Sequence, residues 1–194
     1  MFTGKLVFAT NNLHKLQEAV HILTPAVQLL SLNDIGCFDA LPETHPTLEE
    51  NAAEKALWVY SKYNVNCFAE DTGLEVDALN GAPGVYSARY AGVGKSSRDN
   101  IRLLLERMKN IANRKARFRA VIALIMNGNQ YLFEGVVNGQ ILPEPQGEKG
   151  FGYDSVFQPE GFAVSFARMS IAEKSRISHR KKALDRLAEF LRRC

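Results

Sequence analysis

Apolar residues in the first part of the chain switch repeatedly between a period of two and a period of 3.6, and that switching most narrows the folds open to it. The compact run Lys5 to Ala9 predicts a strand and Leu13 to Leu23 an amphipathic helix. A strand at about Val27 to Leu32, a helix over Leu48 to Tyr63 and a strand from Cys67 to Glu70 follow. Strands that alternate with helices form crossover units, so the opening predicts an α/β fold. Further on, a helix is expected over Arg98 to Lys109, then strands Arg117 to Met126 and Gln130 to Val137. Asn127-Gly128-Asn129 between them suits a hairpin turn. Ser170-Ile-Ala-Glu173 is a capping box, and a last helical segment runs from about Ser178 to Arg193.

Composition bounds the remaining choices. At 194 residues with 46% hydrophobic and 23% charged side chains, the chain is expected to form one domain, residues 1 to 194, or two lobes within it. Disorder, collagen repeats and disulfide miniproteins are excluded. Cys37, Cys67 and Cys194 form neither an even set nor a CxxC pair, which disfavours a disulfide framework or cysteine zinc site and fits a reducing cytoplasm. His14, His21, His45 and His179 are too scattered for a local ligand motif. Leu6 to Ala9 is too short for a signal peptide and Ala120 to Met126 too short to span a bilayer, so no membrane association is expected.

Four segments carry polar groups that suggest chemistry. Thr10-Asn11-Asn12-Leu13-His14-Lys15 gathers hydroxyl, amide and ammonium groups where a strand ends and a helix begins. Sheets of this class bind anions there, although Asn12 as a plain helix N-cap accounts for the same residues. Glu70-Asp71-Thr72-Gly73 closes an apolar strand with adjacent carboxylates, oxygen ligands suited to Mg²⁺, or with an Asx turn made by Asp71. Strand alternation turns Glu70 and Asp71 in different directions. In the helix opened by Thr47, Leu48, Ala52, Ala56 and Val59 share the buried face, Asn51 and Lys55 flank it, and Glu50 lies opposite in a capping-box position. Gly147 to Asp154 adds glycines, Phe151 and Tyr153 as aromatics for a base, and a carboxylate. Gly92-Val-Gly94-Lys95-Ser96 is not a phosphate loop of the Walker kind, because Arg89 stands where the pattern needs glycine. Arg89, on a loop expected to be exposed, suits either a phosphate or plain solvation.

The formal charge of +3 argues against a strongly basic nucleic-acid binder, but the charge is unevenly spread. Lys174 to Cys194 holds eight Lys or Arg against two acids. Helical phase puts Ala183, Leu184, Leu187, Phe190 and Leu191 on one stripe and Lys181, Lys182, Arg186, Arg192 and Arg193 mainly on the other side, a solvated face. Arg180 projects along the apolar stripe and therefore needs an anion or a partner carboxylate. An RNA-binding use of this tail is disfavoured because its only aromatic, Phe190, lies in the stripe.

In combination these segments resemble the inosine/xanthosine triphosphate pyrophosphatase family. The shared stretches cover nearly the whole chain: ATNNLHK at 9–15, EENAAEKA at 49–56, AEDTGLEVDALNGAPGVYSARYAG at 69–92, ARF at 116–118, FEG at 133–135, GFGYD at 150–154 and AEKSRISHR at 172–180. The resemblance implies an elongated mixed-sheet α/β protein with two lobes around a central nucleotide cleft, commonly a homodimer. It implies Mg²⁺-dependent hydrolysis of ITP, dITP and XTP to the monophosphate and pyrophosphate, with a small-molecule substrate and no nucleic acid. Asp71 becomes the catalytic carboxylate and a metal ligand, with Glu70 and Glu50 as further acidic groups. The segment Thr10, Asn11, Asn12, Leu13, His14 and Lys15, with Lys55, Thr72 and Arg89, becomes the triphosphate side. Phe151, Gly152, Tyr153, Asp154, Lys174, Ser178, His179 and Arg180 become the base side. A related pyrophosphatase for pyrimidine or modified nucleotides is the nearer alternative. Differences from the common family pattern include His14 and His45 for glycine and Glu70 for aspartate.

Overall fold

The structure is a computed structural model that describes residues 4–24, 27–94 and 96–194; Lys95 lies outside them. The elements are β1 (Lys5–Ala9), α1 (Leu13–Leu23), β2 (Gln28–Leu30), α2 (Leu48–Tyr63), β3 (Cys67–Val76), β4 (Pro83–Gly84), α3 (Ser97–Arg107), β5 (Lys115–Met126), β6 (Asn129–Ile141), β7 (Phe157–Pro159), α4 (Ile171–Ile177) and α5 (His179–Arg193). The strands form one mixed sheet in the order β2-β1-β3-β5-β6-β7, with β4 paired to β3. The expected α/β class is therefore what the chain forms. No helix among the described residues is long and apolar enough to cross a membrane.

Two compact units share these strands. The first comprises the chain through Asp71, Ala120–Gly135 and Arg180–Cys194; the second comprises Thr72–Arg119 and Val136–His179. In the first, β1 pairs in parallel with β2 and β3, in the register Val7↔Cys67, Phe8↔Phe68 and Ala9↔Ala69. The pleat sends alternate residues to opposite faces. Leu6, Phe8 and Phe68 pack with Ala19 and Leu23 of α1 and with Ala183, Leu184, Leu187 and Leu191 of α5. Phe8 and Phe68 stack with centroids 4.3 Å apart. On the alternate face Cys67 Sγ lies 3.2 Å from the Ala56 carbonyl of α2. The α5 stripe is thus buried as its phase requires, with Phe190 against Tyr131 and Phe133.

In the second unit β4 runs antiparallel to β3 (Leu74↔Gly84) and β7 antiparallel to β6 (Gly139↔Pro159). Leu74, Val76, Leu104, Met108, Phe118, Phe157 and Phe166 form its core. The Asn127-Gly128 turn has both residues at positive φ, 51° and 79°, as a two-residue hairpin between right-twisted strands demands.

One expectation is overturned with consequences for the site. β3 does not stop at Glu70; it continues through Glu70-Asp71-Thr72-Gly73 to Val76, and Asp71 makes no Asx turn. Gly73 is a strand residue that admits a neighbour, since a Cβ there would sit 2.5 Å from the Gly84 carbonyl oxygen. Charged residues ordinarily end a buried strand, but here cations from three helices compensate them. The Val85–Tyr90 loop is also less exposed than expected. Leu74 N donates to Ser87 Oγ (2.9 Å), and Asn100 holds the Ala88 carbonyl and the Ala91 amide (3.1 and 2.7 Å).

Candidate functional site

The polar groups of the first unit collect at the end of β1 and the middle of β3. Asn12 is the N-cap of α1: its side-chain oxygen accepts from His14 N and Lys15 N, and its own amide donates to Thr10 Oγ1 (3.1 Å). The cap reading is thus satisfied, while Asn11, Asn12, Leu13 and His14 remain exposed. Lys15 turns back onto β3, with Nζ 3.3 Å from Glu70 Oε1. Arg180 of α5, buried as phase demanded, donates from Nε to both Glu70 oxygens (3.0 and 2.9 Å) and from Nη1 to Glu18 Oε2 (2.8 Å).

Asp71 faces the other way. Lys55 of α2 donates to its Oδ1 at 2.9 Å and to Glu43 Oε1 at 2.8 Å. The alternation read from the strand therefore assigns the two carboxylates different partners: Glu70 to α1 and α5, Asp71 to α2. Oδ2 of Asp71 receives no hydrogen bond from another described residue. Burial raises the Asp71 pKa, with Lys55 and Lys15 opposing it. Burial also disfavours charge on Lys55, but Asp71 and Glu43 outweigh it and raise its pKa. For Lys15, burial prevails over Glu70 and lowers the pKa.

Glu50 is engaged elsewhere. Thr47 caps α2, accepting from Glu50 N at 3.2 Å and donating to Glu50 Oε2 at 2.7 Å, and Glu50 is exposed. Among the described residues no three His, Cys, Asp or Glu side chains gather into one metal pocket. The ion-paired set nevertheless holds four carboxylates (Glu18, Glu43, Glu70, Asp71) against three cations (Lys15, Lys55, Arg180), one negative charge in excess. Such a set repels a polyanion unless a cation joins it. Mg²⁺, which takes one or two carboxylates and completes its shell with water and phosphate oxygens, fits this donor set.

The second unit holds the other group. Asp154 Oδ2 accepts from Phe151 N at 2.9 Å and from Lys174 Nζ at 2.5 Å. The ammonium lies 5.0 Å from the Phe151 ring centroid and 5.4 Å from that of Phe166. Gly150, at φ 79°, has no room for a Cβ against the Asp154 carboxylate. An acceptor, a donor and the half-exposed face of Phe151 are therefore adjacent. Tyr153 is buried rather than offered as a stacking face, and its hydroxyl donates to the Ser87 carbonyl at 2.9 Å. Ser178 and His179 are buried, and the imidazole stacks on Phe118 at 4.8 Å. Gly152 sits at φ 60°, Thr72 follows Asp71 in β3, and Arg89 lies 5.4 Å from the Tyr86 ring centroid. The guanidinium expected at a base is instead among Glu70 and Glu18, the partner-carboxylate alternative that the sequence left open.

Glu43 and Glu18 were not anticipated. Inward-pointing Lys55 and Arg180 signal that acceptors must exist, but Glu43 lies in a segment without periodicity and Glu18 is 162 positions from Arg180.

A buried carboxylate paired with lysine thus stands next to a second held by lysine and arginine in a mixed α/β sheet, and the relatives of the chain make it an enzyme of the nucleoside-triphosphate pyrophosphatase class. It belongs to the Ham1 family, whose model matches residues 6–190. The dITP/XTP pyrophosphatase of Christiangramia forsetii is 53% identical over 187 residues, covering 96% of this chain and 98% of the relative. That of Porphyromonas gingivalis is 51% identical, covering 96% and 97%. Among solved structures, a HAM1 protein from Coxiella burnetii matches with a TM-score of 0.92 at 34% identity, covering 98% of this chain and 99% of that one. The Staphylococcus aureus Ham1 protein matches with a TM-score of 0.91 at 38% identity, covering 97% and 98%. The family resemblance drawn from the motifs is therefore correct.

Proposed function

We propose that the protein hydrolyses deaminated purine nucleoside triphosphates, ITP, dITP and XTP, to the monophosphate and pyrophosphate, cleansing the nucleotide pool. The observation that carries the reading is buried Asp71, bonded through one oxygen to Lys55 and with the other open. The names of the relatives support the substrate class.

Asp71 orients a water molecule and accepts its proton as the water oxygen bonds to the α-phosphorus. The bond from that phosphorus to the bridging oxygen breaks, and pyrophosphate leaves with the bonding pair. Lys15 and Lys55 offset charge on the phosphate oxygens, where fixed cations contribute most to such transition states. Thr10, Asn12 and the start of α1 bind phosphate oxygens. Mg²⁺, held by Asp71 with Glu70 or Glu43 nearby, would supply Lewis-acid stabilisation of the phosphoryl oxygens.

Base choice follows from the second group. Hypoxanthine and xanthine carry an acceptor at O6 and a donor at N1. Lys174 answers the first and Asp154 the second, with Phe151 against the ring. Adenine reverses both positions, setting its N6 donor against Lys174 and its N1 acceptor against Asp154, a mismatch worth about 10⁴-fold.

Incubation with Mg²⁺ and a panel of ITP, XTP, GTP, ATP, dUTP and dTTP, identifying pyrophosphate or phosphate among the products, tests the reading. Fast release of pyrophosphate from ITP and XTP alone is expected. Absence of hydrolysis of both overturns it, and preference for dUTP or a modified pyrimidine selects the alternative pyrophosphatase.

A further inference from the structure

The stretch 43–47, which precedes α2, has no regular structure, yet two side chains of α2 hold its backbone closely. Asn51, 1% exposed, accepts from His45 N at 2.9 Å and donates to His45 O at 3.0 Å. One amide thus takes both backbone groups of one residue, as a neighbouring strand would. One turn further along, Glu54 takes both donors of Thr44, the amide at 2.9 Å and the hydroxyl at 2.7 Å. Two successive residues are clamped, and Glu43 is the first beyond the clamp.

Burial alone does not hold Glu43 in place. Its side chain is 38% exposed, whereas that of its partner Lys55 is 6% exposed. Water competes for a carboxylate so exposed, and an exposed ion pair by itself is worth little. The backbone anchor at residues 44 and 45 removes most of the freedom by which Glu43 would leave.

We propose that Asn51 and Glu54 are positioning residues that, through the clamped segment, keep Glu43 on Lys55 so that the Lys55 ammonium is shared between Glu43 and Asp71. An ammonium has three donors. Glu43 and Asp71 Oδ1 take two, which leaves one for a phosphate oxygen and leaves Asp71 Oδ2 for water. Without Glu43 the ammonium is free to close on both oxygens of Asp71 and to occupy the position that water needs. This rests on the reading of Asp71 as the catalytic carboxylate.

The test compares Asn51→Asp and Glu54→Gln, alone and combined with Glu43→Gln, using XTP with Mg²⁺. Asn51→Asp removes the donor to the His45 carbonyl, and Glu54→Gln removes one of the two acceptors for Thr44. Each alone should lower kcat about tenfold with KM within about twofold, the cost expected of a displaced catalytic partner. In the Glu43→Gln background each should cost less than about twofold, because the group they position is already altered. Full additivity, or a change in KM alone, overturns the proposal. Should Asn51→Asp not fold, Glu54→Gln carries the test. A crystal structure of Glu54→Gln should show Glu43 withdrawn from Lys55, and an unmoved Glu43 likewise overturns it. Asp71→Asn is run alongside: if it retains wild-type turnover, the catalytic reading falls, whereas loss of turnover with additive clamp variants sinks the clamp alone.

Discussion

Asp71 is placed where burial and two lysines act in opposite directions on one carboxyl group. Replacing it by asparagine keeps shape and a hydrogen-bond acceptor for Lys55 but removes the proton acceptor and a metal-binding charge. Turnover by Asp71→Asn should fall about 10³-fold with the melting temperature nearly unchanged, measured by pyrophosphate release and calorimetry. Near-normal turnover would place the chemistry elsewhere. The three cysteines make a second test at this scale. Burial pushes the Cys67 thiol up to about 12, Cys37 is also buried, and Cys194 is exposed. A disulfide reagent at pH 8 should therefore titrate one thiol per folded chain and three after denaturation, since the thiolate is the reactive form. Fast reaction at Cys67 would mean that the packing of β3 against α2 is looser than the structure has it. Helical phase had turned Arg180 inward and set Lys55 at the flank of the buried face of its helix; both are buried. Their partners were not legible, because ion pairs 12 and 16 positions apart for Lys55, and 110 and 162 apart for Arg180, leave no periodic trace.

Elements were legible wherever caps and periodicity agreed. α1 and α2 have the expected ends, set by Asn12 and Thr47, whose side chains accept from the first-turn amides. Ser170 and Glu173 make both halves of their capping box. β3 was misread because two carboxylates and a glycine look like a strand end, whereas tertiary partners allow the strand to continue. The glycine belongs to the β3–β4 approach, so Gly73→Ala forces Gly84 to move. The cost should be about 1–3 kcal/mol, seen as a fall of roughly 2–12 °C in melting temperature for a chain of this size. An unchanged melting temperature would show that β4 is not held against β3 as described. The extension gives the two carboxylates different hydrogen-bonding partners, Arg180 and Lys15 for Glu70 and Lys55 for Asp71.

For the molecule as a whole, the ion-paired set is the feature that supports the proposed use of Mg²⁺. Its four carboxylates exceed its three cations, so a bare site opposes a triphosphate and a divalent cation reverses the balance. Chelation with EDTA should bring turnover to background and added Mg²⁺ should restore it; turnover indifferent to chelator would break the charge argument. The basic tail, the most uneven feature of the composition, is mostly solvated: Lys181 pairs with Asp185 and Arg193 with Glu189, one helical turn apart. By itself the sequence determined the α/β class, most element ends, the inward faces of the helices and, through its motifs, the family, because each is written in local period, capping chemistry or contiguous residues. The tertiary structure alone decided that Glu70 answers Arg180 and Lys15, that Asp71 shares Lys55 with Glu43, and that Tyr153 is a buried strut. Those outcomes depend on which distant charges and hydroxyls fall within about 3 Å once the chain is packed, a distance that spacing along the sequence does not encode.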